Sequence, residues 1–293
     1  MVSVPKVKLN SGKTIPGIGL GFWLTPEDQA ANIAYEGLKA GYRLLDSARI
    51  YKNEQGVING IAKWIEEDPE HRHREDIFYT TKIYDAEHGY DETKAALKNS
   101  IEKAQKIGYI DLVLVHSPQS NYEKRHGTWL ALQEAVDSGK VKNIGVSNYG
   151  IKHIKELLDY PDLKFKPVIN QLELHPWLTR TKLVEFSKSH GIAIEAYSPL
   201  THGKKLDDPD LVKLGKKYSK SPAQILIRWS VDKGFIPLPK TVHTARLAPN
   251  LDVFDFNLTK EEVTLLDKKD EDLKFCWDPT VYPLDNEKKE EKA

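Results

Sequence analysis

"GYRLLDSARIYKNE", residues 41–54, begins as a buried strand and then breaks its own pattern. Tyr42, Leu44 and Leu45 are aromatic or apolar, as a strand inside a core requires. Asp46 then places a charge where the run is about to end, and Tyr51 follows five residues later. The question is what a carboxylate and a phenol do at the end of an apolar run.

Seven more runs share this character. They are "GIGLGFW" (17–23), "IFYTTKI" (77–83), "DLVLVHS" (111–117), "NIGVSN" (143–148), "PVINQLEL" (167–174), "IAIEAYSPL" (192–200) and "FIPLPK" (235–240). Their near-continuous apolar content suits strands buried on both faces. Amphipathic stretches separate them. Val57, Ile58, Ile61, Trp64 and Ile65 share one face of a helical period, as do Leu97, Ile101 and Ala104, and Ile151, Ile154, Leu157 and Leu158. Gly41, Gly108, Gly139, Gly191 and Gly234 each fall after a helical stretch and before a strand, where a left-handed helix end favours glycine. Thr25-Pro26 and Ser221-Pro222 read as N-caps followed by proline, and Thr259 with Glu262 as a capping box.

Eight strand–helix repeats predict one α/β domain over residues 1–293, a (β/α)8 barrel. A doubly wound sheet would want G-x-G-x-x-G after its first strand, and Gly17, Gly19 and Gly21 have the wrong spacing. Residues 1–16 read as a hairpin turning at Ser11-Gly12, placed to plug the barrel floor. Residues 270–293 read as a loop over the mouth and a charged, frayed tail, "NEKKEEKA".

Lys plus Arg equals Asp plus Glu, 43 each, so net charge gives no reason to seek nucleic acid or an anionic membrane. Cys276 is the one cysteine, which excludes an internal disulfide and suits a reducing compartment. With no apolar leader segment and no run of about 20 apolar residues, the expected location is the cytoplasm. The absence of coiled-coil heptads suits a monomer. His71 and His73 lie in a run of mixed charge that reads as a solvated loop, so no metal site is expected.

In a barrel the chemistry gathers at the C-terminal ends of the strands. Those ends carry Asp46, Lys82, His116, Ser147 with Asn148, Gln171, Tyr197 with Ser198, and Lys240. If Asp46, Tyr51, Lys82 and His116 converge, a specific chemistry follows. A phenol has a reference pKa of about 10, and a nearby ammonium favours its phenolate. Asp46 would keep Lys82 charged, Lys82 would acidify Tyr51, and His116 would orient a substrate carbonyl. Tyr51 then becomes a proton donor at that oxygen. Ser147, Asn148 and Gln171 suit a carboxamide, and Tyr197 offers a flat face to a nicotinamide ring. Lys240, Thr241 and Arg246 follow the eighth strand, where barrels commonly hold phosphate. Trp23, Trp277 and Tyr282 are expected to wall the substrate pocket.

With "LLDSARIYKNE", "TTK", "LVHSP", "IGVSN", "INQLELHP", "AYSPL" and "PLPKTV" in this order, the chain resembles the aldo-keto reductases. The resemblance implies a barrel that binds NADPH without a Rossmann domain and transfers hydride to a carbonyl. It assigns Asp46, Tyr51, Lys82 and His116 to the catalytic tetrad, and Ser147, Asn148 and Gln171 to the carboxamide. Tyr197 corresponds to the stacking aromatic, and Ser198 and Leu200 to the pyrophosphate lining. Lys240, Thr241, Arg246 and Asn250 correspond to the adenosine and 2′-phosphate contacts. Two positions depart from the family pattern. Ser117 replaces a frequent tryptophan and is expected to widen the pocket, and Pro249 replaces a frequent glutamate.

The pattern resembles fungal reductases of α-dicarbonyls, keto esters or aldehydes, with a sugar-aldehyde (xylose-type) reductase as the rival. Two other classes fit the fold: a Schiff-base aldolase acting through Lys82, and a non-catalytic barrel that binds NADPH to regulate a partner. The first needs a neutral lysine, which Asp46 opposes.

Overall fold

The computed structural model describes residues 3–285 and Glu287. Apart from Glu287, the charged C-terminal tail lies outside the described residues. Strands β1 (Lys6–Lys8) and β2 (Thr14–Pro16) form an antiparallel hairpin. Eight parallel strands follow: β3 (Leu20–Gly21), β4 (Leu44–Asp46), β5 (Phe78–Ile83), β6 (Leu112–Val115), β7 (Ile144–Ser147), β8 (Ile169–Glu173), β9 (Ala193–Tyr197) and β10 (Ile236–Leu238). Each pairs with the next in chain order. A parallel bridge between Gly21 and Lys240 brings β3 back to β10 and completes a (β/α)8 barrel.

That closure explains the alternating glycines. The amides of Gly19 and Gly21 donate to the carbonyls of Pro237 and Pro239, each at 3.0 Å. A Cβ on Gly19 would stand 2.6 Å from side-chain atoms of both Leu44 and Leu238, so only glycine lets the strands meet. The spacing serves backbone approach between strands.

Leu9 and Ile15 of the hairpin pack with Leu44, Phe78, Leu112, Leu114, Val168, Ile169, Ile236 and Leu238. The hairpin therefore plugs the floor, and each such buried side chain contributes about 1.5–3 kcal/mol. The opposite end stays open.

Helices α1 (Glu27–Ala40), α2 (Glu54–Glu66), α3 (Tyr90–Lys103), α4 (Tyr122–Asp137), α5 (Ile151–Leu158) and α6 (Thr181–Ser189) lie between successive barrel strands. Helices α7 (Pro209–Tyr218) and α8 (Pro222–Asp232) fill the last connection, and α9 (Leu247–Leu251) and α10 (Lys260–Asp267) follow it. The apolar faces turn inward: Val57, Ile58, Ile61 and Trp64 are buried on α2. Gly41 ends α1 in the left-handed conformation, and the other four glycine stops also have positive φ. Ser221 and Thr259 cap their helices as their sequences predict, each within a capping box. Thr25 does not cap α1. Asn53 grips the Thr25 carbonyl at 2.9 Å, and the threonine hydroxyl is buried with no hydrogen-bond partner among the described residues. No helix among the described residues is long and apolar enough to cross a membrane.

Candidate active site

Asp46 is the last residue of β4, and Lys82 lies near the end of β5. Tyr51 ends a single 3-10 turn, Arg49–Tyr51. Arg49 pins that turn, because its Nε donates to both Glu87 carboxylate oxygens, at 2.8 and 2.9 Å. Asn53 ties the neighbouring loops. Its Oδ1 accepts from Ser47 at 2.7 Å, and its Nδ2 donates to the carbonyls of Phe22 and Thr25.

These anchors bring the four residues together. Lys82 Nζ donates to Asp46 Oδ2 at 2.7 Å, to the Ser47 carbonyl at 2.8 Å and to the Tyr51 hydroxyl at 3.4 Å. The His116 ring meets Tyr51 edge-on, with centroids 5.7 Å apart. An ammonium has three donors, and all three are used. Burial disfavours the Lys82 charge, but Asp46 and then Tyr51 favour it by more, and its pKa lies above the ordinary value. Burial drives the His116 pKa well down, aided by Lys82 and His88, so its imidazole is neutral at pH 7.

At Tyr51 the expected acidifying effect of Lys82 is present but outweighed. Burial pushes the Tyr51 pKa up, and the Lys82 charge opposes this without cancelling it. The net direction is upward, so the phenol keeps its proton across neutral pH. The lysine limits the rise; it does not bring the phenol below its usual range.

A cavity of about 680 Å³ opens at the C-terminal end of the barrel. Asp46, Tyr51 and His116 line it, and Lys82 stands fully buried behind them. Ser147, Asn148, Gln171, Tyr197, Ser198, Leu200, Lys240 and Arg246 line the same space, as do Trp23 and Trp277. The polar ends are interlocked. Tyr197 donates to Asn148 Oδ1 at 2.8 Å, Asn148 Nδ2 donates to the His116 carbonyl at 3.0 Å, and Ser147 donates to the Gln171 carbonyl at 3.0 Å. Ser198, Thr201 and His202 all have positive φ, which places backbone strain in the loop after β9 at the cavity rim. A smaller cavity of about 270 Å³, lined by Lys13, Glu75 and Asp111, lies beside the floor hairpin, away from these groups.

Besides Lys82, four predicted residues do not line the main cavity. Ser117 is fully buried and donates to Asp85 Oδ1 at 2.6 Å, so its hydroxyl does not face the pocket. Along extended chain, successive side chains point to opposite sides; with His116 turned to the cavity, Ser117 turns away. Tyr282 is half-buried and outside the cavity lining. His153 Nε2 shares a hydrogen bond with its carbonyl at 2.7 Å, which draws this part of the chain over α5. Thr241 is buried and accepts from the His243 amide at 3.0 Å, and Asn250 is buried in α9.

Other residues were not read as site residues from the sequence. Tyr84 and Ile50 line the cavity, and the Tyr84 ring stands edge-on to His116 at 6.2 Å. Glu173 is fully buried at the end of β8 and accepts from the amides of Phe275 and Cys276 at 2.7 and 3.1 Å. It thereby holds the segment that carries Trp277. Its only signal in the sequence was a charge at the end of an apolar run, the same signal that marked Asp46.

The family model of the aldo/keto reductase family matches residues 17–208 and 204–271. The chain belongs to the aldo/keto reductase family. It is an oxidoreductase built on that family's barrel. It is 48% identical over 281 residues to an uncharacterized oxidoreductase of Saccharomyces cerevisiae, covering 96% of this chain and 100% of the relative. It is 39% identical over 267 residues to a glyoxal reductase of Bacillus subtilis, covering 91% and 93% of the two chains. A solved aldo-keto reductase of Bombyx mori in complex with NADP superposes with a TM-score of 0.87, at 35% identity, over 97% of this chain and 99% of that one.

Proposed function

We propose that this aldo/keto reductase uses NADPH to reduce aldehydes and ketones to alcohols, with α-dicarbonyls, keto esters and simple aldehydes as its substrates. The observation that carries the reading is the Lys82 ammonium, held by Asp46 at 2.7 Å and reaching the Tyr51 hydroxyl at 3.4 Å inside the main cavity.

The residues present suit the cofactor. The Tyr197 ring is fixed by its bond to Asn148, at 2.8 Å. Lys240 and Arg246 line the same cavity as the carboxamide-binding candidates. Ser147, Asn148 and Gln171 would hold the carboxamide, Tyr197 the ring, and Ser198 and Leu200 the pyrophosphate. Lys240 and Arg246, with Thr241 and Asn250 behind them, would hold the 2′-phosphate and adenosine. When bound, NADPH supplies a hydride to the carbonyl carbon. Tyr51 donates its proton to the carbonyl oxygen as negative charge develops there. Lys82 stabilises the phenolate left behind, and Asp46 keeps Lys82 charged. Neutral His116 donates a hydrogen bond that orients the substrate oxygen.

Trp23, Tyr84 and Trp277 give the cavity aromatic walls. Such walls favour compact or apolar carbonyls over a pentose, whose many hydroxyls each need a partner when buried. The similarity to a glyoxal reductase supports the same choice. The raised Lys82 pKa and its three engaged donors speak against Schiff-base chemistry. The reading takes the enzyme as a cytoplasmic monomer, and light scattering on the purified protein tests its mass.

The test is NADPH oxidation with a panel of aldehydes, α-diketones, keto esters and pentoses. Tyr51→Phe should lower turnover by about 10²–10⁴-fold while NADPH still binds. Substantial remaining activity would refute the role of Tyr51.

A further inference from the structure

Glu195 sits in the middle of β9 and is fully buried beneath the cavity. Its Oε2 accepts from Gln171 Nε2 at 2.8 Å, and the same nitrogen donates to Asp46 Oδ1 at 2.9 Å. Oε1 is buried and has no hydrogen-bond partner among the described residues. The charged groups acting on Glu195 are Asp46 from β4 and Lys82 from β5. Its sheet partners, Gln171 on β8 and Ile236 on β10, carry no charge.

The proton count is restrictive. A glutamine amide has two N–H donors and one carbonyl acceptor. Asp46 and Glu195 take both donors of Gln171, so the atom it has left to offer the cavity is its carbonyl oxygen. The Lys82 ammonium is already committed to Asp46, Ser47 and Tyr51. An ionised Glu195 would be buried with one neutral donor, one bare oxygen and a second carboxylate a single side chain away. A protonated carboxyl fits the site at far smaller cost.

We propose that Glu195 is a positioning residue: as a neutral acid it fixes which face Gln171 presents to the carboxamide of the cofactor. This rests on the reading of Gln171 as a carboxamide contact. Burial and Asp46 push the Glu195 pKa up to about 8, in agreement with the geometry. Above that pH the carboxylate adds a negative charge beside Asp46 and loosens the arrangement. NADPH binding should therefore weaken as pH rises through that range.

Two readouts test this. Infrared pH titration of the protein without cofactor, wild type against Glu195→Gln, should reveal a protonated carboxyl band near pH 7. The band should fade as pH rises through about 8 and be missing from the variant. NADPH affinity, followed by tryptophan fluorescence, should weaken at alkaline pH in the wild type, and Glu195→Gln should lose that dependence. Glu195→Leu strands one Gln171 donor and leaves the amide held by Asp46 alone, so its affinity should fall about tenfold, which equals about 1.4 kcal/mol. The proposal is overturned if wild type and Glu195→Gln give the same infrared titration, or if Glu195→Leu binds NADPH as tightly as wild type. A wild type that binds no NADPH would refute the cofactor reading instead, and the infrared comparison would still decide whether Glu195 is neutral.

Discussion

Lys82→Met removes one half of a fully buried ion pair and leaves Asp46 without its cation. Lys82 has no exposed side-chain surface, and the Asp46 side chain is 5% exposed. At the observed 2.7 Å their attraction is about 6 kcal/mol for an effective dielectric of about 20. Desolvating each ion costs several kcal/mol, so the intact pair contributes little net stability. Removing one partner is different, because the desolvation of the other goes uncompensated. Lys82→Met should therefore lose about 3–5 kcal/mol. Urea unfolding followed by tryptophan fluorescence measures the loss. Adding Asp46→Asn to Lys82→Met should recover much of the loss by removing the stranded charge. A loss below about 1 kcal/mol, or no recovery in the double variant, would refute this account of the pair.

Lys240→Ala with Arg246→Ala should weaken NADPH by at least tenfold while barely changing NADH, since charge-assisted bonds contribute about 1.5–3 kcal/mol each; titration with both cofactors checks it, and equal losses would place the 2′-phosphate elsewhere. Ser117→Trp should destabilise the fold by about 1–3 kcal/mol through overpacking instead of reshaping substrate preference, as melting curves and the substrate panel together would reveal. Asp85 accepts the Ser117 hydroxyl, and burial lifts its pKa to about 6, so it favours the folded state less as pH rises from about 4 to about 6. Asp85→Asn should flatten that part of the stability profile in pH-dependent urea unfolding. Glu173→Ala should release the Phe275 and Cys276 amides, speed proteolysis near the mouth and raise KM through the loosened Trp277.

The barrel was legible because its signals are local. An apolar run buried on both faces, a helical period and a glycine stop each occupy a few residues, and physical chemistry acts on them within that span. The ring of polar strand ends was legible for the same reason. Parallel strands that close into a barrel carry their C-terminal ends to one mouth, so Asp46, Lys82, His116 and Gln171 had to meet once the repeat was counted. Directions within the loops were not legible. Ser117 adjoins His116, and Tyr282 follows Trp277 by five residues, yet Ser117 bonds Asp85 and His153 holds the Tyr282 carbonyl.

By itself, then, the sequence determined the eightfold repeat, the helix caps at Ser221 and Thr259, and the identity of the groups at the barrel's open end. Only the tertiary structure decided how those groups are charged and held. The sign of the Tyr51 shift depends on burial outweighing a nearby ammonium, and no spacing along the chain encodes that balance. The bond from Gln171 to Asp46 spans 125 positions, and Glu173 meets the Cys276 amide across 103. Such pairs depend on barrel closure, because hydrogen bonds and burial are set by distance in space.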